Sequence, residues 1–107
     1  LFDDFFKEVV YQGIANVTGA SSAKAILFHV DFAKNSRNAT KVHRALQAML
    51  GDIGTNLVER SIIKHMFETL KDKAPLGYSA NNFDFIKCVE LARRIFDSRP
   101  SDRFLQK

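Results

Sequence analysis

The chain has a single cysteine, Cys88, which excludes an internal disulfide and leaves packing to hold the fold. It has no tryptophan and only two tyrosines, against ten phenylalanines. Phenylalanine lacks a polar handle, so most of these rings are expected in a core or an interface rather than around a ligand. Proline is nearly absent, and Pro75 and Pro100 act as breaks. No apolar run approaches the roughly 18 residues a membrane span needs. Leu27 and Phe28, for example, are followed at once by His29 and then Asp31. Low-complexity stretches and repeats of solenoid period are also missing.

The chain has 107 residues, enough for one domain, 1–107, with a core that needs no metal or disulfide. Its ordinary share of apolar and charged residues argues against a disordered chain. The opening Leu1-Phe2-Asp3-Asp4-Phe5-Phe6 is acidic where a secretory leader would be basic, so no leader is expected. A soluble cytoplasmic protein is the simplest expectation. The net charge of +4 comes largely from Arg93, Arg94, Arg99, Arg103 and Lys107 near the end. It is a weak pointer to acidic partners, because a basic tail also serves solubility.

Periodicity predicts an all-α fold, a compact bundle of about five helices, and no strand. In the first, Leu1 to about Val17, Phe2, Phe5, Phe6, Val9, Val10, Gly13, Ile14 and Val17 share half of the wheel. Gly13 reads as a notch for close helix approach, and Gly19 as the stop. The second, Ala23 to Ala33, starts from a Ser21 or Ser22 cap and is apolar almost all round. It leaves only Lys24 and Asp31 on a polar strip, so it is expected at the centre of the bundle or in an interface. After the polar stretch Lys34 to Asn38, Asn38 or Thr40 caps a third helix with the stripe Val42, Ala45, Leu46, Met49 and Leu50, and Gly51 stops it. The fourth, Asn56 to about Lys73, carries a broad apolar arc from Val58 to Leu70. The breaker Ala74-Pro75-Leu76-Gly77-Tyr78 separates it from a fifth helix opened by Ser79 to Asn82. There Phe85, Cys88, Val89, Ala92, Ile95 and Phe96 face inward. Residues 99–107 read as a frayed basic tail or a short added turn.

Chemistry is sparse. His29, His43, His65 and Cys88 fall on four different predicted helices, without the close ligand pairs that zinc sites use, so no metal or cofactor is expected. His29 reads as a neutral core residue, His43 and His65 as stripe-edge rings, and Cys88 as a buried thiol. Glu59, Glu68 and Glu90 lie on or beside polar faces, with no two forced into one apolar pocket as acid–base work would require. Gly51 and Gly54 lack the lysine and the preceding strand of a phosphate loop. Asn38-Ala39-Thr40 matches a glycosylation triplet, but a helix cap accounts for it better.

Three stretches carry a family resemblance: Ala25 to Val30; Val42 to Leu46 continuing through Gly51 to Leu57–Lys64; and Phe83 to Arg94. Together they resemble a small archaeal all-helical family of unknown function, the Nitrosopumilus output domain. The resemblance implies an all-helical fold and a place at the output end of a signalling chain. It implies no catalytic or binding residues.

These readings converge on a non-catalytic protein-interaction or signalling-output module, not an enzyme. It would engage a protein partner or a second copy through Phe2, Phe5, Phe6 and Val9. The alternative is a nucleic-acid-binding helical domain using Lys34, Arg37, Lys41, Arg44, Arg99 and Arg103. A small-molecule sensor with a pocket near His29 is a third reading. No membrane association is expected.

Overall fold

The computed structural model describes residues 1–29, 38–73 and 84–99. These residues form four helices and no strand: α1 (Phe2–Thr18), α2 (Ala20–His29), α3 (Ala39–Leu70) and α4 (Phe85–Ser98). Periodicity predicts about five. The difference arises at Gly51, where two predicted helices meet with no loop between them. Gly51 has φ 72 and ψ 177 inside otherwise helical backbone, a conformation that L side chains rarely adopt. It divides α3 into two arms, 39–50 and 52–70.

Local signals place most helix ends. The Asn38 side chain accepts a hydrogen bond from the Lys41 amide at 3.1 Å, and Asp84 does the same for Lys87 at 3.0 Å. Gly19, at φ 89, ends α1 and alone links it to α2. Ser21 and Ser22 are exposed residues of the first turn of α2 rather than its cap. The predicted break at 74–78, the Ser79–Asn82 opening and the tail beyond Arg99 lie outside the described residues.

The core is built on arm 52–70. Its Val58, Ile62, Ile63, Met66, Phe67 and Leu70 are all at most 2% exposed. They meet Phe6, Val9, Val10 and Ile14 of α1 and Phe85, Val89 and Ala92 of α4 in one cluster. The crossing with α1 is unusually close. A Cβ on Gly13 would lie 2.5 Å from Ile62 Cα, and the Ser61 hydroxyl donates to the Gly13 carbonyl at 2.6 Å. Gly13 is thus the notch that the α1 stripe predicts.

The expectation of a central second helix is overturned. Among the described elements α2 packs on α1 alone. Ala23 is its one buried residue, and Phe28 is 83% exposed. The reason is connectivity and breadth of face. A one-residue link keeps α2 beside α1, whereas arm 52–70 is apolar over a wide enough arc to be covered from two sides. His29 is likewise exposed at the end of α2, not in the core.

At the far end of the bundle Arg99 joins two helix termini. Its guanidinium donates to the Leu70 carbonyl and pairs with Asp72 at 2.9 Å. Phe85, at the other end of α4, stacks on His43 beside Glu59. Helix α4 therefore runs in the same direction as arm 52–70. Among the described residues no helix is long and apolar enough to cross a membrane.

Replacing Gly13 with Ala tests the crossing. The added methyl would meet backbone rather than a movable side chain, so Gly13→Ala should lower stability by at least about 1–3 kcal/mol in urea unfolding.

Candidate functional site

The side chains predicted as interaction anchors are interior. Phe2, Phe6 and Val9 are 1–3% exposed, and Phe5 is half-buried. Phe96 of α4 closes this end, 5.6 Å from the Phe2 ring edge-on and 5.2 Å from Phe5. Arg93 lays its guanidinium 4.5 Å from the centre of the Phe2 ring and stands 3.7 Å from Asp3. The aromatic start of α1 is thus packed against the second half of α4, with Phe5 left half-buried.

Three members of the predicted basic set fall among the described residues. Lys41 and Arg44 are exposed on arm 39–50, while Arg99 is engaged by Asp72 and the Leu70 carbonyl. Lys34, Arg37 and Arg103 lie outside the described residues. No cluster of three or more His, Cys, Asp or Glu stands together among the described residues. Cys88 is buried, and burial, reinforced by the charge of Asp84, pushes its thiol up from the ordinary value.

A pair that sequence reasoning missed lies at the bend of α3. Glu59 is 3% exposed, and its Oε2 is 2.6 Å from Nδ1 of His43. An unbroken helix would carry residues 16 apart to about 24 Å. The bond therefore exists only because Gly51 folds one arm onto the other. His43 and Glu59 each stand eight residues from Gly51, which brings them to matching heights on the two arms. Burial pushes the Glu59 carboxyl up to about 7, against the opposing pull of the His43 hydrogen bond and charge. The signal was present in the sequence. Glu59 lies one helical turn from Thr55 and from Ile63, inside the apolar arc rather than beside it. One turn before it, the Thr55 hydroxyl is buried without a hydrogen-bond partner among the described residues.

Outside the bend the surface turns apolar. Ile53 is 82% exposed, Leu57 47% and Met49 38%, and all three lie within six residues of Gly51. Ile53 and Leu57 are one turn apart and line a concavity of about 400 Å³ together with Asp52, Asn56 and Arg60. Leu57 and Arg60 also line a groove of about 430 Å³ that continues to Ser61, Lys64, His65 and Asn16 of α1. The two hollows share walls and form one track along the outer side of arm 52–70. Neither His43 nor Glu59 lines them.

The titration of Glu59 has a definite sign. In the folded chain it keeps its proton to about pH 7, and once unfolded only to about the ordinary 4.5. Its contribution to stability is therefore complete below about pH 4.5 and lost as pH rises through about 7, a change of about 3 kcal/mol. Chemical unfolding at a series of pH values should show this slope, and Glu59→Gln should flatten it. Thr55→Val removes an unpaired buried hydroxyl at nearly constant volume, and it should raise stability by about 1–2 kcal/mol in the same assay.

No family model matches the chain, and no curated protein or solved structure matches it.

Proposed function

We propose that the protein is a non-catalytic helical interaction module, and that it meets a protein partner through the apolar elbow around Gly51. The observation that carries this reading is the pairing of Ile53 and Leu57 on one exposed face at the rim of a continuous track. Exposing an isoleucine rather than burying it forgoes about 1.5–3 kcal/mol. Single exposed apolar side chains are common on any protein. Here they adjoin one another on arm 52–70, whose inner face is tightly packed, so that surface is firm and its ordering cost is already met by the fold. Arg60 and Lys64, further along the track, give it a polar margin of the kind that rims interfaces. The signalling-output role implied by the family resemblance is an activity of the same type.

A photoreactive phenylalanine analogue at position 53 should crosslink to a partner protein or to a second copy, and one at exposed Lys87 on α4 should not. The double variant Ile53→Ser, Leu57→Ser should keep its helical circular dichroism and bind that partner about tenfold or more weakly. A chain that sediments as a monomer and gives no more crosslinking at 53 than at 87 overturns the reading.

A further inference from the structure

Arm 39–50 is the shorter arm of α3 and sends fewer side chains into the core than arm 52–70. Val42 and Leu46 are its fully buried side chains, at 1% and 0% exposed. Ala39, Ala45 and Leu50 pack half-buried against the core, and His43 is the arm's polar tie, bonded to Glu59 on one side and stacked on Phe85 of α4 at 6.3 Å on the other. Arm 52–70, by contrast, carries the largest share of the core and is locked to α1 at Gly13. Between the two arms there is a single non-helical residue, Gly51. Any relative motion of the arms is therefore a rotation at that residue, and the lighter arm is the one that moves.

We propose that arm 39–50 is a proton-gated flap: the His43–Glu59 bond holds it closed while the pair keeps its shared proton, and loss of that proton to solvent releases it about Gly51.

With the proton in place the pair has no net charge, whether the carboxyl donates to the imidazole or an imidazolium donates to the carboxylate. After the proton leaves, a neutral imidazole can still donate from Nδ1, but it no longer cancels the charge of a carboxylate that is 3% exposed. Water is the remaining source of stabilisation, and lifting the arm that bears His43 is the motion that admits it. Burial already holds the Glu59 proton to about pH 7, so the gate falls in a range that cells traverse.

Other charges do not set the gate. His43 is the charged neighbour that acts on Glu59 among the described residues. On α1, Lys7 and Glu8 are exposed and Asp3 pairs with Arg93. On α4, Lys87 and Glu90 are exposed, and Asp84 acts on Cys88. On α3 itself, Lys41, Arg44 and Lys64 are exposed, and His65 sits beside Thr69.

Native-state amide hydrogen exchange, corrected for the intrinsic rate at each pH, reads the flap directly. Between about pH 4.5 and 7 the opening of residues 39–50 should increase by up to about tenfold per pH unit and level off above about 7, while the buried amides of α1 and of residues 58–70 show a shallower slope or none. In Glu59→Gln the slope of the 39–50 amides should vanish. Protection that falls in parallel across α1, α3 and α4 overturns the proposal, because Glu59 would then govern only global unfolding. A 39–50 arm whose protection does not change with pH overturns it as well. Both outcomes are read within the native chain, so the test stands even if the variant fails to fold.

Discussion

Helices α1 and α3 touch backbone to backbone at Gly13, and the rest of the bundle is arranged around that crossing. A glycine facing the main chain of Ile62 lets the two axes approach more closely than any side chain would permit. The Ser61 hydroxyl then satisfies a carbonyl that the contact would otherwise shield from water. The valines and isoleucines on either side interlock as a consequence, and arm 52–70 becomes the central element, with α1 on one flank and α4 on the other. Helix α2 is left outside this arrangement and follows α1.

The second organising feature is the bend. One residue with positive φ replaces a loop, so the two arms of α3 meet with very little chain between them. The inner side of the bend carries a buried carboxylate with its histidine, and the outer side carries exposed apolar residues. One hinge thus joins the electrostatically sensitive point of the molecule to its stickiest surface.

Much of this was legible in the residues, and the failures have physical causes. The apolar stripes of α1 and α4, the Gly13 notch, the Asn38 cap and the break at Gly51 all follow from local periodicity and backbone preference, and local forces decide them. Centrality is a different kind of property. The Ile26–Phe28 stretch is apolar round its wheel, yet placement depends on what lies next to a helix, and a one-residue link confines α2 to the side of α1. The aromatic start of α1 misled for a related reason. Phe2, Phe5 and Phe6 do form an apolar end, but whether a neighbour covers it is settled by where α4 runs. Glu59 was classed with surface carboxylates although its helical position sets it among buried residues. Its partner lies 16 residues away, and only the fold at Gly51 makes the two adjacent.

The parallel course of α4 and arm 52–70 has an electrostatic price. Neighbouring helices in an up-and-down bundle alternate direction, so the positive end of one dipole offsets the negative end of the next. Here two negative termini gather at one pole, near Leu70 and Ser98. Arg99 answers this with a fixed cation drawn from the end of one helix and bound to the Leu70 carbonyl of the other. The positive N-terminal end of α1 lies at the same pole, where Phe2 meets Phe96, so topology and one side chain balance the polarity there together.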